Sequence, residues 1–381
     1  MQDRRPWRLV AAALAFGALA AGCSAAAKPK EPAVFFPSAP DPPRIQYLTH
    51  FTGLKDVSTQ SAFNRFVVGE QQNRILDKPY GVAMHAGRIY VCDTNQSVAV
   101  FDLKARTFEP LKGAFGQGLL RQPVNISITP DGTKYVSDPL RGQVVVFGPD
   151  DGYVKAYGEP GTWKPVDAAV YGDRLYAADM QHGLVVVFDL ASGEKVATLG
   201  DKGDPKDRLS MPTNLAFDKD GDLYVTDVSR FQVVKMDRDG RLLATFGQIG
   251  DSLGHFARPK GVAVDRSGFV YVVDAAFANV QVFTPQGRLA MFFGGPGKDP
   301  GNLLLPAKVS IDYDDVDTFR PFLAPGFEPE YLVLVTSQFG DRLVNVFAFG
   351  KQAGQTYPTE EELLQQIEAQ KAKATGSGPA R

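Results

Sequence analysis

Short apolar runs separated by polar turns recur along most of this chain. Residues 90–93 and 271–274 are two copies of a run that begins with Tyr and ends with Asp. Runs of this length, rich in Val and Tyr and bounded by Gly, Pro and Asp, predict β-strands rather than helices. A proline begins each unit of the recurrence, and successive prolines are 42 to 47 residues apart: Pro79, Pro123, Pro165, Pro212, Pro259 and Pro306.

Each unit contains enough apolar runs for four strands. After the proline come a first run, a turn such as Asp220-Gly221, and the run that ends in Asp. A third run is rich in Val and Phe, as at 280–283, and the fourth often ends in Phe-Gly, as at 246–247. Four short strands in a repeat of about 40–45 residues are the signature of a β-propeller blade. The sequence therefore predicts an all-β protein with six blades.

The fullest unit, residues 259–283, carries Pro-Lys-Gly-Val-Ala-Val-Asp, Tyr-Val-Val-Asp and Val-Gln-Val-Phe. This pattern resembles the NHL repeat, and the resemblance covers residues 44–350 with five clear units. It implies a six-bladed β-propeller. The sixth unit departs from the pattern, because it contains an insertion over 313–330, has Thr336-Ser337 where Asp is expected, and lacks a fourth strand before residue 350.

The strand missing from the sixth unit is expected to come from the other end of the chain. Residues 45–51 precede the first unit and form an alternating, strand-compatible run. Pairing of this segment with the last blade closes the ring and leaves no free sheet edge. Residues 52–75 would then form an entry loop to the first blade.

The C-terminal tail, residues 351–381, differs from the blades. Thr359 and Glu362 form a capping-box pattern, and a narrow apolar stripe follows them, so a short helix is predicted. The sequence leaves open whether this helix binds a partner, lies on the propeller or is solvated.

The N-terminus has the features of an export signal. Residues 1–22 combine three arginines with an apolar stretch that is too short to span a bilayer. The stretch ends in Leu-Ala-Ala-Gly before Cys23, which resembles the lipobox of bacterial lipoproteins and implies lipidation of Cys23. Residues 23–43 are expected to form a flexible tether. By resemblance to enterobacterial lipoproteins, Ser24 favours the outer membrane, with the protein facing the periplasm and touching the membrane through its lipid anchor only.

Composition excludes several classes of protein. The chain has 41 Lys+Arg and 43 Asp+Glu, which is not the basic excess of a nucleic-acid-binding protein, and we predict no nucleic-acid partner. With Cys23 lipidated, Cys92 is the one remaining thiol, so no intramolecular disulfide can form. Cys92 lies within a strand-like run and is predicted to be a small buried apolar residue.

The second residue after each proline is expected to line the central channel near one mouth. These residues are Gly81, Asn125, Asp167, Asn214, Gly261 and Lys308. The candidate ligand-binding residues are therefore Asn125, Asp167, Asn214 and Lys308, and the two glycines are expected to leave the ring open on blades one and five. Three alternatives remain: the polar side chains satisfy one another through water, they bind a small anionic or polar ligand, or Asn125, Asp167 and Asn214 hold a metal such as Ca²⁺.

The metal alternative also rests on a resemblance. Six-bladed lactonases, including gluconolactonase-like and paraoxonase-like enzymes, hold a divalent metal on the axis with Asn, Asp and Glu. Here the Glu has no counterpart at Gly81, and Lys308 lies on the blade opposite Asp167. A cation at that place disfavours a metal, so we predict no cofactor.

Other side chains offer no convincing catalytic set. The four histidines do not have the arrangement of a zinc site, and the recurring Asp at the second strand is expected to bond to loop N–H groups. Arg141, His182, Arg230 and Phe277 lie on the face with the inter-blade loops and are candidate interface residues.

These features together predict a lipid-anchored propeller of the cell envelope that acts as a ligand- or protein-binding scaffold. Its partner would be an envelope protein or polymer, or a small polar ligand. The alternative is a metal-dependent lactonase or lyase with its site at the channel mouth, and whether the protein is an enzyme is left open.

Overall fold

The computed structural model describes residues 32–58, 74–205, 207–357 and 362, and every structural statement below concerns these residues. The predicted signal peptide (1–22) and Cys23 lie outside them. Glu362 is helical, in the segment where the short C-terminal helix is predicted, and the rest of that helix also lies outside. Within the described part of the chain, no helix is long and apolar enough to cross a membrane.

The chain forms 25 strands in six antiparallel sheets. Two N-terminal strands come first: β1 (Phe35–Phe36) and β2 (Ile45–Phe51). Blade one contains β3 (Pro79–His85), β4 (Arg88–Asp93), β5 (Val98–Asp102) and β6 (Thr107–Pro110). Blade two contains β7 (Asn125–Ile128), β8 (Lys134–Asp138), β9 (Gln143–Phe147) and β10 (Tyr153–Tyr157). Blade three contains β11 (Pro165–Tyr171), β12 (Arg174–Asp179), β13 (Leu184–Asp189) and β14 (Lys195–Leu199).

The remaining strands complete the ring. Blade four contains β15 (Pro212–Phe217), β16 (Leu223–Asp227), β17 (Gln232–Met236) and β18 (Leu242–Phe246). Blade five contains β19 (Pro259–Val264), β20 (Val270–Asp274), β21 (Asn279–Phe283) and β22 (Leu289–Gly294). Blade six contains β23 (Pro306–Asp312), β24 (Phe327–Ser337) and β25 (Val344–Gln352), joined by β2 and β1. Short 3₁₀ helices lie at Leu54–Asp56, Gly116–Gly118 and Val316–Phe322.

The ring is closed by the N-terminal strand, as predicted. Strand β2 pairs antiparallel with β25, from Ile45 opposite Phe349 to Phe51 opposite Val344. The structure differs from the predicted tether over 23–43, since Val34 already accepts a hydrogen bond from the amide of Tyr47 (2.9 Å). The segment attached to the propeller is therefore longer than the apolar pattern indicated.

Apolar side chains form six clusters, each between two neighbouring blades. Val82 and Met84, for example, pack against Leu332 and Leu334 of blade six. Cys92 is fully buried between blades one and two, and burial raises the pKa of its thiol well above the usual value. The prediction of a buried, apolar role for Cys92 is confirmed.

The recurring Asp at the end of the second strand ties the loops to the blades. Asp274 accepts hydrogen bonds from the main-chain amides of Ala257 (2.7 Å), Arg258 (3.1 Å) and Ala276 (2.9 Å). The equivalent carboxylates bond to loop amides in the same way: Asp93, Asp138, Asp179 and Asp227. In blade six the hydroxyl of Ser337 accepts from Leu304 N (3.2 Å). The predicted structural role of these residues is confirmed.

The insertion in blade six packs on the propeller. Its 3₁₀ helix buries Phe319, and Gln46 of β2 bonds to both Phe322 O and Ala324 N (3.0 Å each). Asp312, at the start of the insertion, is 9% exposed and accepts from the amides of Asp314 and Asp315.

Asp312 makes the free energy of unfolding depend on pH. Burial, followed by the charges of Asp315 and Asp314, raises its pKa from 3.8 to about 6. The native state therefore keeps a proton that the unfolded chain has released between pH 4 and pH 6, so this group lowers stability as the pH rises through that window. We expect Asp312→Asn to increase the free energy of unfolding by roughly 1–3 kcal/mol at pH 8.

Urea unfolding of the wild type and Asp312→Asn at pH 4.5 and pH 8 checks this expectation. The stabilisation should be much smaller at pH 4.5, where Asp312 is largely protonated. An equal difference at both pH values would contradict the assignment to this carboxyl.

Candidate functional site

The innermost strands β3, β7, β11, β15, β19 and β23 surround the central channel. In blade three, Pro165 at the start of the inner strand lies opposite Asp179 at the end of the second strand. The inter-blade loops and the loops between the second and third strands therefore emerge at the same end of the propeller. We call this end the loop face; it comprises residues 74–78, 94–97, 111–122, 139–142, 158–164, 180–183, 200–205, 207–211, 228–231, 247–258, 275–278, 295–305 and 338–343.

A direct ion pair crosses the channel. Lys308 Nζ of blade six lies 2.6 Å from Asp167 Oδ2 of blade three, and both residues are almost fully buried. The same oxygen accepts from Asn214 Nδ2 (3.2 Å) and Leu215 N (3.0 Å) of blade four. The other oxygen, Oδ1, accepts from Ala168 N (2.9 Å). Three of the four channel residues proposed from the sequence thus bond directly to one another, with no water needed between them.

Asn125, the fourth channel residue, bonds to main chain. Its Nδ2 donates to Val166 O of the neighbouring blade (2.7 Å), next to Asp167. The Oδ1 atoms of Asn125 and Asn214 are buried and accept no hydrogen bond from the described residues. Whether these acceptors take part in ligand binding stays a prediction.

The two ring glycines do not leave openings, and that expectation is wrong. A Cβ atom at Gly81 would lie 2.6 Å from Asn125 Cα, and one at Gly261 would lie 2.7 Å from Lys308 Cα. Gly81 N also donates to Val124 O of blade two (2.8 Å). Glycine stands at these positions because the backbone of the next inner strand occupies the space that a side chain would need.

The arrangement does not fit a metal centre on the axis. Calcium takes six to eight oxygen ligands, whereas both oxygens of Asp167 are already engaged and an ammonium group lies against one of them. In the described part of the chain, no group of three or more His, Cys, Asp and Glu side chains could hold a metal ion.

The four interface candidates lie on the loop face, and three of them bond to residues of their own blades or loops. Arg141 donates to Gln143 Oε1 (2.7 Å) and Leu119 O (2.8 Å), and Arg230 donates to Pro205 O (2.8 Å). His182 Nδ1 lies 2.5 Å from Asp179 Oδ2, and Phe277 is half-buried. The side chains of Arg141, His182 and Arg230 therefore help to order the loop face, and a direct role of the four residues in an interface stays a prediction.

The loop face carries an apolar feature that the strand pattern did not reveal. Among the described residues, 14 large apolar side chains are exposed, and eight of them lie on this face: Ile75, Phe115, Leu119, Leu140, Met211, Ile249, Leu253 and Phe339. Five others lie on outermost strands and one lies on the blade-six insertion. One sequence feature could have identified these residues. Each is a large apolar residue that lies in a predicted loop, outside the strands whose apolar residues form the core.

Comparison with known proteins supports the fold and no closer relationship. No family model matches the chain, and no curated protein matches it. An auxiliary nutrient binding protein from Bacteroides thetaiotaomicron is similar in structure, with a TM-score of 0.56, 14% identity, and 81% of this chain and 77% of that chain covered. A putative gluconolactonase has a TM-score of 0.51 and 13% identity, covering 72% and 91% of the two chains. A streptogramin B lyase has a TM-score of 0.50 and 11% identity, covering 74% and 84%.

Proposed function

We propose that this protein is a lipid-anchored binding scaffold of the bacterial cell envelope, built on an NHL-type propeller, whose loop face docks an envelope protein. The observation that carries this proposal is the concentration of exposed apolar side chains on the loop face. Monomeric soluble proteins rarely expose contiguous apolar patches larger than a few hundred Å², and where exposed apolar side chains do adjoin one another they mark interaction sites.

Three of these side chains belong to neighbouring loops that are held together. Phe115 is 72% exposed, Leu119 is 55% exposed and Leu140 is 62% exposed. The 3₁₀ turn Gly116–Gly118 separates the first two, and the bond from Arg141 to Leu119 O joins their loop to that of Leu140. A rigid apolar surface of this kind loses little conformational entropy when a partner covers it.

The residues on the channel axis favour a catalytic function less than the exposed loop residues favour a binding function. A lactonase or lyase with a metal on the axis would have to release Asp167 from Lys308, Asn214 and two main-chain amides. The structural neighbours bear the names of a binding protein, a putative lactonase and a lyase. A shared fold at this level of identity does not choose among those functions.

The proposed cellular location follows from the N-terminal sequence. Cleavage before Cys23 and lipidation of its thiol would anchor the chain, with the outer membrane and periplasmic side as the proposed location. Among the described residues, Val34 is the first with a hydrogen bond to the propeller, and it lies 11 residues after Cys23. At about 3.4 Å per residue, this segment would hold the propeller within roughly 40 Å of the membrane surface.

Cross-linking in living cells followed by affinity capture tests the docking proposal. We expect Phe115→Asp and Leu140→Asp to remove a specific envelope protein that the wild type captures, since a charge in the apolar surface opposes its burial. The matched control is Val196→Asp, which places the same charge at a 52% exposed position on the outer strand of blade three. Equal recovery of that protein with all three variants would refute docking through the loop face.

A further inference from the structure

Lys260 is a buried cation without a carboxylate partner. It is the second residue of the inner strand β19, it lies at the loop-face end of the channel, and it is 7% exposed. Its Nζ donates to the side-chain oxygen of Gln338 (3.1 Å), a neutral amide on the neighbouring blade. No described Asp or Glu forms an ion pair with it.

Two carboxylates of the surrounding inner and second strands are committed elsewhere. Asp167, one residue level deeper in the channel, is paired with Lys308. Asp274, which lies opposite Pro259 at the end of β20, accepts main-chain amides of the loops. Lys260 therefore cannot take either of them as a counter-ion without breaking bonds that hold the propeller.

The remaining neighbours of Lys260 suit an organic ligand. Its Nζ lies 5.1 Å from the centre of the Tyr80 ring, on blade one. Gln338 is 6% exposed, and because its oxygen faces Lys260, its amide nitrogen is left to donate. Among the described residues, the other two N–H donors of the ammonium group have no acceptor, and these donors lie beside the Tyr80 ring.

The surroundings add further positive charge. Burial, with Arg258 and Lys78 nearby, lowers the pKa of Lys260 to about 8. Arg258 and Lys78 are themselves exposed, on the loops directly above β19 and β3. An isolated buried ammonium group costs free energy that an apolar side chain of similar length would not cost. Gln338 and the Tyr80 ring compensate this cost only in part because neither carries a negative charge, so an anion that reaches Lys260 would be stabilised there.

We propose that Lys260, Gln338 and Tyr80 form a binding site for the carboxylate group of a small organic acid at the mouth of the channel. The carboxylate accepts hydrogen bonds from Lys260 Nζ and Gln338 Nε2, and the carbon part of the ligand lies along the Tyr80 ring. Arg258 and Lys78 attract the anion from solvent. This site does not depend on the docking function proposed above, and its occupant is a small molecule rather than a protein.

Calorimetric titration of the purified protein with sodium benzoate, sodium acetate and sodium phosphate at constant ionic strength tests the site. We expect the wild type to bind benzoate more tightly than acetate. Lys260→Met should weaken benzoate binding at least tenfold, and Lys260→Arg, which keeps the charge, should retain most of it. The matched control Lys164→Met removes an exposed lysine of the same face and should bind like the wild type.

Thermal unfolding without ligand gives a second readout. Lys260→Met should unfold at a higher temperature than the wild type, because the uncompensated charge is gone. Gln338→Leu provides a further variant with an intact Lys260, and it should also bind benzoate more weakly. Three titration results would overturn the proposal: equal benzoate binding by the wild type and Lys260→Met, no carboxylate binding to the wild type, or Lys260-dependent binding of phosphate that is tighter than that of benzoate. A lower unfolding temperature for Lys260→Met than for the wild type would also overturn it.

Discussion

A chain that begins at residue 52 is expected to lose cooperative folding, whereas a chain that begins at residue 33 is expected to fold like the full-length protein. The first truncation removes β1 and β2 and leaves blade six with three strands. The second keeps both strands and serves as the matched control.

The size of this effect follows from what β2 buries. Ile45, Leu48 and Phe51 are all at most 9% exposed, and burial of each contributes about 1.5–3 kcal/mol. Gln46 adds two hydrogen bonds that hold the blade-six insertion. The total is of the same order as the whole stability of a typical protein, about 5–15 kcal/mol.

Loss of β2 also changes what the surface exposes. Strand β25 would become a free edge, and unpaired edges promote association between chains. We therefore expect the chain that begins at residue 52 to show weak near-ultraviolet circular dichroism, no cooperative urea transition and aggregates on size exclusion. A monomer with a sharp transition like that of the residue-33 chain would show that closure by β2 is dispensable.

Breaking the ion pair across the channel is expected to destabilise the propeller by about 3–5 kcal/mol, in either of two single variants. Asp167→Asn leaves the Lys308 ammonium buried without a counter-charge. Lys308→Met leaves the Asp167 carboxylate with only amide donors, from Asn214, Leu215 and Ala168. The cost arises because a buried charge without an opposite charge has lost its hydration without compensation.

The double variant separates pairing from packing. Because it removes both charges, Asp167→Asn with Lys308→Met should be clearly less destabilised than the sum of the two single variants, and we expect a coupling energy of about 2 kcal/mol or more. Equilibrium urea unfolding at pH 7 measures all four proteins. The control is Asp239→Asn, which breaks an exposed pair with Arg174 (3.2 Å) and should cost less than about 1 kcal/mol. Additive single effects would show that the pair contributes only through packing.

Much of the architecture could be predicted from local sequence. The prolines, the Tyr-x-x-Asp runs and the Val-rich third strands recur in register, and each recurrence reports the same local structure. The closing strand could be predicted as well, because the sixth unit lacks a strand and residues 45–51 have the alternation to supply one. The structural role of the recurring Asp could be inferred as well, because a residue that occurs in five units is expected to stabilise each blade rather than to form one functional site.

The candidate site was predictable only in part. The offset of a residue within its unit fixes its level in the channel, so Asp167, Asn214 and Lys308 could be placed on one level from the sequence. The same reasoning gave the wrong role to Gly81 and Gly261. It assumed that a residue without a side chain leaves an opening in the ring. In the structure, the backbone of the adjacent inner strand occupies the position that a side chain would take.

By itself, the sequence determined the number of blades, the strands of each blade and the way the ring closes, because these depend on patterns that repeat within about 45 residues. The sequence placed Lys308 on the blade opposite Asp167, but tertiary structure alone decided which side chains bond directly across the ring. Lys308 and Asp167 are 141 positions apart, and Lys260 and Gln338 are 78 positions apart. Whether two such residues bond depends on how far apart the inner strands lie across the channel, and no local pattern along the chain records that distance.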